Sequence, residues 1–465
     1  PRHPLIRMLR EAAVHIDVAA AAARGLFFNR SQRLARDASM VVASALQREQ
    51  RCERPLRVLD ALSGTGARAL RYALECNADV YGNDGHAEFA PFARAAAAAN
   101  GATLHATWRR DARRVESFAE EGGFDVVDVD AFASALPFVD AALAAVRTGG
   151  VLALTFTDVP RWLADKSSRV SAERSYGCVL PLSRTVLPST SLYELSTRAA
   201  VAAVARRVDG GHVAPDANGG STYVRRRGIV PLAVLHNGFS VRLFVRVTPP
   251  PPLPPPLKFV AVCGSCCFAE SLAHPLVELA KAAAPCIRCG QQRQLLGPVY
   301  AAPLFDQQFV ASCMPIASSM MDAYADSDDD VRAFEHVLRV LRAAEGELGD
   351  VLLPTDLSHA AGKFGVSIPP RDVAAIALRS LGARTSHAAA VCGVSGSGSS
   401  VLKSDATPRQ WWYFFEAWRA RSDGSSEGPA TPSPAAAAAA VADTAGAVGG
   451  RGGGGEYGER FEALV

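Results

Sequence analysis

Between residues 56 and 158 four short apolar runs alternate with alanine-rich stretches: LRVLDAL (56–62), DVYGND (79–84), FDVVDVD (124–130) and VLALTFTD (151–158). Short runs that stay apolar at both odd and even positions suit strands covered on both faces, and parallel strands of that kind need helices between them. The pattern predicts a doubly wound α/β domain with the alanine-rich stretches as its covering helices. Ahead of it, residues 1–50 read as mostly helical with a break at GLFFNRS (25–31). Behind it, residues 171–247 read as mixed pieces ending in FSVRLFVRV (239–247).

At 465 residues the chain exceeds one ordinary core. The seven prolines of TPPPPLPPPLK (248–258) favour a stiff polyproline II spacer, which places a boundary or an inserted loop there. The expected plan is residues 1–247 as the α/β domain with its helical extension, 248–258 as linker, 259–421 as a smaller C-terminal domain, and 422–465 as a disordered tail. That tail, with DGSSEGPATPSPAAAAAA and VGGRGGGGEYG, has too little core-forming surface to offset ordering entropy.

Bulk charge decides little: a net +3 and a pI near 8.4 neither demand nor exclude a nucleic-acid partner. Arg109, Arg110, Arg113 and Arg114, or Arg225 to Arg227, could supply a local footprint or simply be solvated surface. No run is long and apolar enough to span a bilayer. No charged-then-apolar leader opens the chain, and its start at Pro1 leaves room for an upstream targeting segment. Ten cysteines are too sparse for a disulfide scaffold, which favours a reducing compartment.

After the first strand comes Asp60-Ala-Leu-Ser-Gly64-Thr-Gly66-Ala-Arg68-Ala69. Glycines at a strand-to-helix turn let backbone amides approach a ligand, and the pattern also fits G-x-G-x-x-A, so an NAD-dependent oxidoreductase stays open. The second strand ends at Asn83-Asp84, where a carboxylate can accept both ribose hydroxyls. Asp111-Ala112 falls where a third strand should end, and the fourth delivers Asp130-Ala-Phe132. Acids at three successive tips followed by an aromatic suit a methyltransferase better than a dehydrogenase.

The amino nitrogen of an aromatic base is a poor nucleophile, because its lone pair is delocalised. Methylating one requires holding the base in the plane of attack while accepting hydrogen bonds from its amino hydrogens. Asp130 has the chemistry to accept, and Phe132 to stack on a base swung out of RNA. The plain alternative is a helix cap and a core phenylalanine.

FFNRSQRLARD (27–37), LDALSGTGARALRYALE (59–75), NDGHAEF (83–89), DVVDVDAFASALPF (125–138), LTFTDVP (154–160), SYGCVLPL (175–182), GPVYAAPLFD (297–306), RTSH (384–387) and LKSDA (402–406) stand in an order and spacing that carry one resemblance. Over about residues 24–420 the chain resembles the tRNA (guanine-26-N2)-dimethyltransferases. The resemblance implies a Rossmann-like class I methyltransferase fold using S-adenosylmethionine, with one or two methyls placed on a guanine amino group at position 26 of tRNA. Carried over by position, it implies Arg36 and Arg68 on the cofactor, Asp84 on its ribose, Asp111 and Ala112 on the adenine, Asp130 orienting the amino group, and Phe132 with Phe27 or Phe28 holding the base. Where the family has D-P-F/Y-G-S-P, this chain has Asp130-Ala131-Phe132-Ala133-Ser134-Ala135, which leaves the loop looser or shaped for another base. Arg30 also replaces a proline, and Ala35 an asparagine.

Cys263-Gly-Ser-Cys266 and Cys286-Ile-Arg-Cys289 are separated by nineteen residues. Two such turns point four thiolates at one centre, a closed tetrahedral set suited to structural zinc; unconnected pairs or a redox couple are the alternative. The expected C-terminal domain is therefore α+β with a zinc site formed by Cys263, Cys266, Cys286 and Cys289. His387, Lys403, Arg384 and Arg409 are expected to meet RNA phosphates, and Trp411, Trp412, Phe414 and Phe415 to form helical core rather than stacking surfaces. The expected partner is tRNA, with neither membrane nor DNA, for an intracellular monomer expected in the nucleus, with mitochondrion or cytoplasm as the alternatives. A tRNA-binding homologue without catalysis is the competing reading, motivated by the altered tip loop.

Overall fold

The structure, a computed structural model, describes residues 8–50, 54–114, 116–119, 123–159, 162, 166–180, 187–210, 212–215, 221–224, 226–263, 269–272, 284–286, 290–349, 351–387, 400–406 and 408–423. Two compact units make up the chain. One gathers Pro1–Arg161, Ala203–Pro255 and Leu304–Glu345, the other Trp162–Ala202, Pro256–Pro303 and Gly346–Val465. Residues 249–256 of the proline run lie in neither helix nor strand.

The first unit is built on a seven-stranded sheet. In chain order its strands are β1 (Arg57–Asp60), β2 (Asp79–Asn83), β3 (Ala106–Trp108), β4 (Phe124–Asp130), β5 (Val146–Phe156), β6 (Gly228–His236) and β7 (Val241–Thr248). Across the sheet they stand β6-β7-β5-β4-β1-β2-β3. The first five are mutually parallel, while β7 runs antiparallel to β5 and to β6. This is the α/β architecture the alternation predicts. All of β4 except Asp130 is buried, as a strand with covered faces requires. The covering helices include α1 (Arg33–Glu49), α2 (Ala67–Glu75), α3 (Phe89–Ala99) and α4 (Val139–Ala145). The chain steps outward from β1 to β3, then returns to β4 on the other side of β1. That reversal opens a crevice beyond the carboxyl ends of β1 and β4, the usual ligand position in such sheets.

Residues 8–17 depart from the helical expectation. Met8–Glu11 and Val14–Asp17 pair as an antiparallel hairpin, because Val14 and Ile16 alternate with polar neighbours and enter a cluster with Ala67, Leu70 and Ala97. Helix resumes at Val18–Ala23 and in α1. Helices Gln307–Ala323 and Asp328–Ala344 pack on each other and on α1.

In the second unit, strands Ala269–Leu272, Leu257–Cys263 and Arg293–Tyr300 form one antiparallel sheet. A separate core joins Leu357, Ala374, Leu378, Leu402, Phe414 and Phe415, with Trp411 packed against it. Those aromatics are helical core, as expected; the side chain of Trp412 lies outside the described residues. Lys403 corrects the expectation of a phosphate contact. It is fully buried, its Nζ donates to Glu194 Oε1 at 2.7 Å, and it also pairs with Glu347. A buried ammonium must be matched by buried acids, and Lys403 is spent on that match. Arg384 is tied to Asp405 at 2.7 Å, the side chain of Arg409 lies outside the described residues, and His387 is exposed. Residues 424–465 of the expected tail also lie outside the description, and none of the described helices is long and apolar enough to cross a membrane.

Candidate active site

The glycine turn closes over the end of β1. Gly64 and Gly66 hold φ values of +55° and +79°; a Cβ on the first would sit 3.1 Å from the Phe27 carbonyl, and one on the second 3.4 Å from the Ala93 methyl. Both positions therefore demand glycine. The Gly64 amide donates to Asp84 Oδ2 at 2.9 Å, and the His86 amide donates to Asp84 Oδ1 at 2.8 Å. Asp84 thus joins the first turn to the one after β2 while its side chain borders the crevice.

Beyond the strand ends lies a cavity of about 320 Å³ whose lining includes Phe27, Phe28, Arg36, Asp60, Arg68, Asp84, Asp130, Phe132, Phe138 and Thr157. Asp111 and Ala112 line a second hollow of about 320 Å³. Leu62 and Phe138 border both spaces. Every residue expected to act on cofactor or base is thus brought to one crevice or its neighbour. Asp111 is engaged at its own surface, accepting from Arg113 Nη2 at 2.9 Å. Of the other local arginines, Arg110 donates to the Ser117 carbonyl at 2.6 Å, and Arg226 to Asp209 at 2.7 Å.

The arginines arrive already paired. Arg36 is buried and donates through Nε and Nη2 to the two oxygens of Glu11, each at 2.6 Å. Arg68 donates to Asp128 Oδ1 at 2.6 Å and to Asp130 Oδ2 at 2.5 Å. Asp128 itself accepts from the Tyr72 hydroxyl at 2.7 Å and pairs with Arg242, which also donates to Thr155 and Ser39 at 2.8 Å. Burial alone would raise the Asp128 carboxyl, but Arg242 and Arg68 outweigh it and hold it below the usual range. A line of alternating charge, Arg242, Asp128, Arg68 and Asp130, therefore runs from β7 to the cavity.

Asp60 has no such match. It is 1% exposed, and neither carboxylate oxygen has a hydrogen-bond partner among the described residues; the Ser63 hydroxyl donates to its main-chain carbonyl instead, at 2.9 Å. Burial and the neighbouring Asp128 charge push its carboxyl up to about 7 against the pull of Arg68. An orphaned acid lining a cavity is a place for a cationic ligand group.

Two rings stand at the rim. Phe27 and Phe132 meet edge to face with centroids 4.9 Å apart, and they are 55% and 73% exposed. Phe28 turns inward beneath the Arg36 guanidinium, 4.8 Å from its ring centre, so Phe27 is the partner of Phe132. The tip loop between β4 and α4 is held despite its missing glycine and prolines. The Ala133 amide donates to Thr157 Oγ1 at 2.8 Å, and the Thr157 amide returns a bond to the Ala133 carbonyl at 2.8 Å. Ala133 sits at φ +66°, a conformation that costs a side-chain-bearing residue about 1–2 kcal/mol. Ala133→Gly should stabilise the protein by about 0.5–1 kcal/mol, the strain relieved less the extra backbone entropy glycine loses. Thermal unfolding measures this, and a lowered midpoint would refute it.

Asp128, Thr157, Arg242 and Asp60 carry no expected role from the sequence. Asp128 and Asp130 lie two apart on a strand and share a face, which was a usable signal. Nothing in FSVRLFVRV marks Arg242 as buried.

Cys263 and Cys286 are buried. Cys263 pairs in register with Arg293, and the Cys286 amide donates to the Gln291 carbonyl at 2.8 Å, so both lead into the same segment. Cys266 and Cys289 lie outside the described residues. No group of three or more His, Cys, Asp or Glu that could hold a metal occurs among the described residues.

Acids at the carboxyl ends of successive parallel strands, placed where the strand order reverses, mark an α/β fold of the nucleotide-binding class. Within that class, residues 9–397 match the family model for N2,N2-dimethylguanosine tRNA methyltransferase, and the chain belongs to that family. A tRNA (guanine(26)-N(2))-dimethyltransferase of Mus musculus is 27% identical over 406 residues, covering 83% of this chain and 56% of the relative. One from Saccharolobus solfataricus is 26% identical over 353 residues, covering 74% of this chain and 81% of the relative. The chain thus spans little more than half the length of the mouse relative. Among solved structures, Trm1 from Pyrococcus horikoshii in complex with S-adenosyl-L-methionine superposes with a TM-score of 0.63 at 21% identity, covering 87% of this chain and 98% of that one. That likeness is one of fold.

Proposed function

We propose that the protein transfers one or two methyl groups from S-adenosylmethionine to the exocyclic N2 of guanine 26 in tRNA. The observation that carries this reading is the Asp130 carboxylate, oriented by Arg68 at 2.5 Å on the cavity that Phe27 and Phe132 border. When bound, S-adenosylmethionine supplies an electrophilic methyl on a positively charged sulfur. The cavity suits a cationic cofactor: Asp60, Asp84 and Asp130 line it, while its arginines Arg36 and Arg68 are matched by acids. Asp60 and Asp130, lining the cavity beside the glycine turn, would repel a pyrophosphate seated on its backbone amides, which weighs against the oxidoreductase reading. Asp84 would hold the ribose hydroxyls, Asp111 and Ala112 the adenine, and Asp60 with Arg36 the amino-acid end. Asp130 accepts from the guanine amino group and turns its lone pair toward the methyl, while Phe27 and Phe132 grip the base.

The test is transfer of labelled methyl to unmodified tRNA. Label on N2 of guanine 26, absent when that base is replaced by adenine, is the expected result. Binding of tRNA with no transfer would leave only the non-catalytic homologue, the reading that the alanine-rich tip loop favours.

The four cysteines Cys263, Cys266, Cys286 and Cys289 are further proposed to hold a structural zinc. The buried thiols of Cys263 and Cys286 and the main-chain bond from Gly290 N to Cys286 O at 2.9 Å support a tight cysteine turn of that kind. Elemental analysis should find about one zinc per chain, lowered by Cys286→Ser. A metal-free preparation that is fully folded and active would refute it.

A further inference from the structure

We propose that Phe239, with Arg30 beside its turn, forms a stacking subsite for a nucleotide flanking the target base. The proposal rests on the RNA substrate proposed above and extends it to a residue outside the cavity. Among the described residues with placed side chains, Phe27, Phe132 and Phe239 are the exposed phenylalanine, tryptophan and tyrosine rings, Phe239 at 70%. Phe132 follows β4 and Phe239 precedes β7 at the same end of the sheet, and Phe27 meets Phe132. Phe239 tips the turn between β6 and β7; Val241, two residues on, pairs with Phe156 at the end of β5, next to the Thr157 that clips the Phe132 loop.

The ring is held out by a tied turn. Asn237 Oδ1 accepts from the Phe239 and Ser240 amides at 3.0 and 2.7 Å, and His236 Nδ1 accepts from the Gly238 amide at 3.0 Å. The Ser240 hydroxyl donates to Gln32 Oε1 at 3.1 Å, and Gln32 lines the cavity. Asn237 Nδ2 reaches the carbonyl of Ser31 at 3.5 Å, and Arg30, the preceding residue, is exposed.

The surroundings select the occupant. A protein partner would call for a contiguous apolar patch, whereas Phe239 shares its turn with Asn237, Gly238 and Ser240, and that turn meets Ser31. An exposed ring on a tied turn that meets Ser31, with the exposed Arg30 next in the chain, fits a single nucleotide, base on the ring and phosphate on the cation. A base swung out of the RNA leaves a neighbour unstacked, and a further ring at the same end of the sheet can cover it.

The full chain with Phe239→Ala should show a KM for tRNA raised about 5- to 100-fold, with kcat nearly kept and the affinity for S-adenosylmethionine unchanged. Phe239→Tyr, which retains the ring, should restore binding. A 2-aminopurine next to the target base should be quenched by the wild-type protein and not by Phe239→Ala. An unchanged KM, or a fall in kcat alone, overturns the subsite while leaving the methyltransferase reading intact. A wild-type protein that methylates no tRNA but binds it moves the test to tRNA affinity, with the same expected ratio. Absence of tRNA binding in the wild type overturns both readings.

Discussion

Asp130→Asn is expected to lower methyl transfer to tRNA by about 10²- to 10³-fold while changing the affinity for S-adenosylmethionine only slightly. The substitution keeps the volume of the side chain but removes the charge that accepts from the base. Arg68 loses one partner and keeps the other, Asp128 at 2.6 Å, so the site stays assembled. The split between lost turnover and kept cofactor binding is the informative result. Single-turnover transfer and calorimetry on the same preparation measure it. A variant that transfers at close to the wild-type rate would remove Asp130 from the chemistry.

The second large effect concerns stability. Asp128→Ala should cost about 3–5 kcal/mol, because it takes from the buried Arg242 guanidinium the acid that matches it and leaves Arg68 with Asp130 alone. For a unit of this size that lowers the unfolding midpoint by about 10 °C. Removing Arg242 as well, as in Asp128→Ala with Arg242→Met, should recover much of the loss, since deleting both charges is far milder than deleting one. The pH dependence follows from the same pair. The folded carboxyl lies below its unfolded value, so its contribution is present above about pH 4 and is lost as the pH falls through the folded value. Calorimetric scans at neutral and acid pH check both statements; a single variant as stable as the wild type would show that the network carries no energy.

The sequence made the sheet legible because parallel strands covered on both faces must be nearly continuous apolar runs. It also showed the acids Asp84, Asp111 and Asp130, since residues at strand tips fall at regular points of the alternation. The strand parity of FDVVDVD already separates Asp125 from Asp128 and Asp130. In the fold Asp125 accepts from Arg54 at 2.7 and 2.9 Å, while the other two share Arg68. The hairpin at 8–17 is not legible in the sequence, because two four-residue strands beside an alanine-rich stretch leave too short a pattern to outweigh helical composition. Lys403 misled for a related reason: charge on a short strand reads as surface until its neighbours are known.

By itself the chain determined the α/β alternation, the glycine turn and the chemical types available at the tips, because local periodicity and backbone conformation depend on neighbouring residues. Only the tertiary structure decided that Arg36 and Arg68 are already matched by acids, that Asp60 is left unmatched, that Phe27 rather than Phe28 meets Phe132, and that Thr157 holds Ala133 in place of the missing glycine. Each of those joins residues from separate segments, and electrostatic matching in a buried site depends on distance through space, which no local pattern encodes.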